Sequence, residues 1–153
     1  MTDDAAADVV LRYDTVYETI DDPKTLEECF DDDAGMRTPA GTYGIRYWLG
    51  KRDSEDEDHP MREPVLRVDL DPESGAGALR WLPDDLIGVE DDYTPAVVTV
   101  AEDFGQPLVW VPAAEARVSY TAARTAALRY AQTRRRPDTV TWIETTPDAT
   151  PST

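Results

Sequence analysis

Apolar residues recur along this chain at two spacings, every second position as in strands and every third or fourth as in helices. Residues 9 to 18, with Val10, Tyr13, Val16 and Tyr17 among polar neighbours, read as a first strand. Asp22-Pro23 is a helix start, an acidic N-cap followed by Pro at the first helical position. The short helix that follows carries Leu26, Cys29 and Phe30 on one face and stops at Gly35. Residues 36 to 64 are the least regular; Tyr43, Ile45 and Tyr47 alternate ahead of Trp48 and Leu49, which fits a short strand or an ordered loop.

From residue 65 the strand pattern is clear. Leu66, Val68 and Leu70 alternate with Arg67 and Asp69, and a turn over residues 71 to 77 leads into Leu79-Arg80-Trp81. An acidic loop from Pro83 to Tyr93 precedes a β-branched run from Ala96 to Ala101, which a loop over 102–106 joins to Leu108-Val109-Trp110-Val111. Two successive hairpins predict an antiparallel sheet rather than a parallel βαβ layout. Pro112 ends the last of these strands, and Ser119 is the N-cap expected for a helix over about 120–132, where Tyr120, Ala123, Ala127, Tyr130 and Ala131 share a face. Pro137 stops that helix, and Thr139 to Glu144 read as a final strand with Val140 and Trp142 on one side. The expected fold is α+β, an antiparallel sheet of about five or six strands with a C-terminal helix on one face and a short N-terminal helix. Residues 1–144 read as one domain and 145–153, rich in Pro, Thr and Ser, as a disordered tail. There is no internal repeat.

Charge adds what periodicity does not. The chain has 32 acids against 15 Lys and Arg, net −17 in 153 residues. Residues 1 to 115 hold 29 acids and 9 bases, residues 116 to 137 hold 6 Arg and no acid, and the last 16 residues carry −3. Such a surface repels nucleic acid and anionic membrane and attracts basic partners at long range. Asp exceeds Glu 21 to 11 and Arg exceeds Lys 13 to 2, a bias that a GC-rich genome or salt adaptation also produces. Neither explains the clustering into Asp31-Asp32-Asp33, residues 53–58, Asp84-Asp85 and Glu90-Asp91-Asp92. With Cys29 alone there is no internal disulfide, the N-terminus lacks a basic and apolar leader, and no stretch approaches the ~20 apolar residues of a membrane span, so the expected location is cytoplasmic.

The residues of catalysis are scarce: one His, one Cys, two Lys. His59 sits in an acidic loop expected to be solvated and mobile, no Gly-x-Ser-x-Gly elbow exists, and Gly75-Ala76-Gly77 is neither a dinucleotide nor a P-loop series. Cys29 reads as a small buried apolar residue rather than a reactive thiol. Asp53, Glu55, Asp56, Glu57, Asp58 and His59 could ligate a hard cation, yet the run lacks the glycine and closing Glu of a calcium loop, so a solvated charge run is preferred. Acid pairs for glycosidase-type work can be drawn anywhere in so acidic a chain and carry little information. The six Arg of residues 117–136 are better read as partners for the protein's own acids than as phosphate contacts, since −17 overall opposes phosphate approach.

The segment from Pro107 to Ile143 resembles the C-terminal half of the first-numbered immunity-protein family of bacterial polymorphic toxin systems. The residues that carry the likeness are Leu108-Val109-Trp110-Val111-Pro112, the Ala-rich run from Thr121 to Tyr130, Thr133, Arg136-Pro137 and Val140-Thr141-Trp142; the hairpin around Val68 and Trp81 fits as well. The family tends to place Gly after the Thr that ends the helix, the position of Arg134 here.

The resemblance implies a non-enzymatic inhibitor, without cofactor or metal, that neutralises a cognate secreted toxin in the cytoplasm, as a monomer or in a 1:1 heterodimer with the toxin. The toxin is expected to be basic and nucleic-acid-targeting, including deaminase-type toxins, and an acidic protein would be steered to its cleft and occlude it. The toxin-facing positions expected are Asp53, Glu55, Asp56, Asp58, Asp84, Asp85, Glu90, Asp91, Asp92 and Tyr93, with buried, aromatic anchors supplying affinity and the acids the on-rate. Two other classes remain: an acidic DNA mimic that inhibits a nucleic-acid-binding enzyme, with carboxylates spaced like phosphates along one face, and a metal-dependent enzyme using clustered carboxylates.

Overall fold

The computed structural model describes residues 8–39 and 41–144, so the tail expected over 145–153 lies outside the described residues. In chain order the elements are β1 (Val9–Tyr13), β2 (Val16–Ile20), α1 (Pro23–Ala34), β3 (Ile45–Lys51), β4 (Leu66–Asp71), β5 (Ala76–Trp81), β6 (Leu86–Val89), β7 (Val98–Val100), β8 (Val109–Val111), β9 (Val118–Ser119), α2 (Tyr120–Thr133) and β10 (Thr141–Glu144). An eight-stranded sheet runs β10-β6-β5-β4-β3-β1-β2, with β9 added beside β5, and β7 and β8 form a separate two-stranded sheet. The strand pairs of both sheets are antiparallel, and two isolated parallel bridges, Ile45–Ala101 and Val89–Arg117, supplement them.

The α+β class holds, but five or six strands was too few. The first predicted strand is a hairpin: Asp14 adopts φ 53°, a left-handed conformation that Asp tolerates, and reverses the chain so that Tyr13 pairs with Val16. The acidic loop expected at 83–93 contains β6, whose Leu86 and Ile87 face Trp81 and Arg80. The hairpin from 98 to 111 forms as a hairpin but leaves the main sheet to make its own.

Alternation along the central strands sends one set of side chains to the helices. Val9 and Leu11 of β1, Ile45, Tyr47 and Leu49 of β3, Leu66, Val68 and Leu70 of β4 and Leu79 of β5 form a core with Leu26 and Phe30 of α1 and Ala123, Ala126, Ala127 and Tyr130 of α2. Asp22 caps α1, its carboxylate accepting the Thr25 N–H at 3.0 Å, and Ser119 caps α2 by accepting the Ala122 N–H at 3.0 Å. The small alanines let α2 sit close to the sheet: a Cβ on Gly77 would come within 2.9 Å of the Ala123 Cβ. Arg134 ends α2 with φ 57° and ψ 30°, its N–H bonded to the Tyr130 carbonyl, so the left-handed cap that favours glycine is formed here by an arginine.

The opposite face of the sheet carries a continuous cross-strand row of Tyr17, Arg12, Trp48, Arg67, Arg80, Ile87 and Ile143. Part of this face is covered by the small sheet, whose Val98, Val100 and Val111 pack with Ala116 on Ala76 and Ala78. The start of β3 passes so close to β7 that a Cβ on Gly44 would run into the Thr99 carbonyl.

Candidate functional site

The ten candidate residues fall into two groups, because antiparallel strands send successive connections to opposite ends of the sheet. The loop after β3 and the turn between β5 and β6 lie at one end, where Leu82 N–H bonds the Val65 carbonyl at 2.9 Å. The segment after β6 lies at the other. Asp53, Glu55, Asp56, Asp58, Asp84 and Asp85 therefore share one end, and Glu90, Asp91, Asp92 and Tyr93 occupy the far one.

Several of these acids build their own loops. The Asp53 carboxylate accepts the N–H groups of Arg62 (2.6 Å) and Glu63 (2.9 Å), closing the loop after β3 on itself. Asp56 accepts the Asp58 N–H at 2.9 Å, which, ahead of the adjoining His59, holds its carboxyl below the usual range. His59 stacks edge-on to Tyr17 with ring centroids 5.8 Å apart, and Pro60 and Met61 beside it are buried. This acidic run is thus an ordered, self-bonded loop. Asp85, at φ 57°, accepts from Arg80 Nε at 2.9 Å, and Glu90 accepts the Ser119 N–H at 2.8 Å. Tyr93 is half-buried, and burial, then Glu90, raises its hydroxyl pKa. Glu55, Asp58, Asp84, Asp91 and Asp92 are exposed at their respective ends.

Other acids pair with arginines on the face of the sheet away from the helices. Arg46 Nε lies 2.7 Å from Asp69 Oδ1 and its Nη1 2.8 Å from Glu102 Oε1. Burial works to lower the Arg46 pKa, but Asp69 and then Glu102 outweigh it and the net shift is upward. Arg67 Nε sits 3.2 Å from Asp69 Oδ2, close enough for attraction but without hydrogen-bond alignment; burial, with Arg46 and Arg80 nearby, lowers its pKa against the pull of Asp69. Arg80 pairs with Glu115 at 3.0 Å as well as with Asp85. On α2, Arg124 pairs with Asp31 (2.8 Å) and Glu27 (3.4 Å) of α1, and Arg129 with Asp138 (3.2 Å), internal partners of the kind expected for this basic segment.

Two features had no place among the candidates. The first is a half-buried cluster between β2, α1 and β3. There the Tyr47 hydroxyl donates to Asp33 at 3.0 Å, and the Cys29 thiol meets Glu18 Oε1 at 3.9 Å. Burial, then Glu18, pushes the Cys29 thiol up to about 11, so it is a weak nucleophile at neutral pH, packed against the core but half-buried rather than fully buried. Glu18 reaches it because β2 registers Glu18 opposite Leu11, on the helix-facing side. The second is Trp110, which is 70% exposed in the middle of β8. An alternating strand pattern marks which side a residue faces, but not that the whole hairpin leaves the main sheet.

The molecule is thus a small acidic α+β domain with helices on one face of its sheet and carboxylates gathered at the sheet's two ends. Residues 14–144 match the family model of immunity protein Imm1, and the chain belongs to that family. Membership carries toxin-neutralising immunity through binding of a cognate toxin, and implies a non-catalytic inhibitor. No curated protein matches the chain.

Proposed function

We propose that this protein inhibits its toxin stoichiometrically, one copy per toxin, by occluding the active-site cleft of a basic, nucleic-acid-targeting enzyme in the cytoplasm of the producing cell. The family match over 14–144 carries this reading. Net charge −17 and exposed carboxylates at both sheet ends add to it, because an enzyme that grips phosphate must present a basic cleft, and complementary charge speeds encounter with it. A deaminase is the toxin class favoured: it needs its target base extruded or single-stranded, so covering the cleft mouth suffices. The inhibitor supplies shape and charge and no reacting group.

Co-expression tests it. Cells expressing the cognate toxin domain should survive when this chain is present, and titration calorimetry should give one inhibitor per toxin. For a deaminase, the deaminated base should accumulate in intoxicated cells and vanish on co-expression. Absence of rescue overturns the immunity reading, and rescue with an unblocked cleft overturns the occlusion.

A further inference from the structure

Trp110 differs from the other three tryptophans. Trp81 packs on Tyr130 and Trp142 at ring-centroid distances of 6.1 and 6.3 Å. Trp142 donates its Nε1–H to the Pro137 carbonyl at 2.7 Å, and the Arg46 guanidinium lies 5.8 Å from the Trp48 ring centroid. Trp110 instead leaves 70% of its surface in water. Its placement follows from the ribbon: Val98, Val100 and Val111 are buried against the main sheet, so alternation turns Thr99 and its cross-strand partner Trp110 outward. Val97, one residue before β7 and 50% exposed, extends that outward face.

We propose that the outward face of the β7–β8 ribbon, centred on Trp110 with Val97 beside it, is the surface that anchors the basic toxin. The assignment rests on the immunity reading above and adds the docking residue. Charge complementarity selects the occupant: the connections flanking the ribbon carry the exposed Asp91, Asp92 and Asp103, and from Glu90 to Ala116 the chain has no Lys or Arg, so the exposed indole stands between acidic segments. Arg and Lys stems from the rim of a basic cleft can lie over the indole while their heads meet the surrounding carboxylates. Tryptophans covered in this way at the centre of an interface dominate its affinity.

The side chain, not the backbone edge, makes the contact. β8 is three residues long and bracketed by Pro107 and Pro112, which offer no N–H to an incoming strand. Strand addition is therefore blocked at both ends, and the flat indole is the part of β8 left to engage a partner.

The full chain and its Trp110→Ala variant are compared for binding to the cognate toxin domain, catalytically inactivated, by surface kinetics. The variant should melt within about 2 °C of wild type, since the indole is mostly in water. Its Kd should rise at least ~30-fold, carried by faster dissociation, and Trp110→Phe should recover part of the loss. Binding by the wild type matched by Trp110→Ala overturns this assignment alone. No binding by the wild type overturns the immunity reading and this assignment together. A variant that binds the toxin normally but changes the chain from dimer to monomer in sedimentation shows a self-association face, and also overturns it.

Discussion

Arg46 and Asp69 face each other across β3 and β4 and form a buried ion pair, Nε to Oδ1 2.7 Å, with the Asp69 side chain fully buried. The second Asp69 oxygen faces Arg67, and the second arm of Arg46 reaches Glu102, so this one carboxylate holds two guanidinium groups under the docked hairpin. Removing it leaves two buried cations with reduced compensation. Asp69→Ala should cost about 3–5 kcal/mol in urea unfolding, while Glu102→Ala, whose carboxylate is 39% exposed, should cost under about 1 kcal/mol. Equal costs for the two would show that the pair is not the keystone of this face.

The same region shows what the residue pattern could and could not convey. The β4–β5 hairpin was legible because Leu66, Val68 and Leu70 alternate and a Gly-rich turn follows. β6 was not: four residues between acidic runs look like loop, and its Gly88 serves packing, since a Cβ there would come within 2.9 Å of the Leu79 Cβ and 3.2 Å of Val140. The β1–β2 turn was missed because Asp14 takes its left-handed conformation without any glycine to announce it. The acidic candidates were found as sequence clusters, yet Asp84 and Glu90 sit at opposite ends of β6, a separation set by topology. Trp110 was legible as a strand residue but not as an exposed one, since its exposure depends on where the hairpin docks.

At the end of α2, Arg134 occupies a backbone conformation that an L side chain enters at a cost of roughly 1–2 kcal/mol. Glycine removes that strain but returns part of the gain through a freer unfolded chain. Arg134→Gly should therefore stabilise by about 0.5–1 kcal/mol, a rise in Tm of roughly 1–4 °C. A fall in Tm would mean that the guanidinium's own contacts outweigh the strain.

Tyr130 is packed edge-on to Trp81, and its buried hydroxyl makes no hydrogen bond among the described residues. Tyr130→Phe keeps the ring contact and removes an unsatisfied polar atom, so it should stabilise by about 1 kcal/mol at pH 7. Burial raises the Tyr130 pKa to about 12, with Arg134 opposing. A folded pKa above the unfolded value near 10 gives stability that is complete below pH 10 and lost as pH rises towards 12. The advantage of the Phe variant should therefore widen from pH 9 to 11 in urea midpoints. A gap that stays constant with pH would place the hydroxyl in water.

Cys29 offers a direct reading of the cluster beside α1. With its thiol raised from 9.0 to about 11 by burial and then Glu18, it holds about 100-fold less thiolate at pH 8 than an unperturbed cysteine. Labelling by a disulfide reagent in the folded protein should be slower by at least that factor than in urea, and Glu18→Gln should accelerate it. If Glu18→Gln leaves the rate unchanged, the carboxylate does not control the thiol and burial alone does.

Asp84 and Asp91 are both exposed, one at each end of β6, and they separate two uses of the negative charge. The β7–β8 ribbon docks where Ala101 meets the start of β3 and where β7 packs on Ala76, the end of the sheet that also holds Asp91. Charge within about a Debye length of the anchoring surface steers most strongly. Asp91→Lys should therefore slow toxin association several-fold more than Asp84→Lys at 50 mM salt, with dissociation nearly unchanged for both. The difference should collapse near 0.5 M salt, where screening shortens the range to a few ångströms. Equal slowing would make the whole molecule, rather than one end of the sheet, the source of the field. An effect of Asp84→Lys alone would move the docking face to the opposite end, away from Trp110.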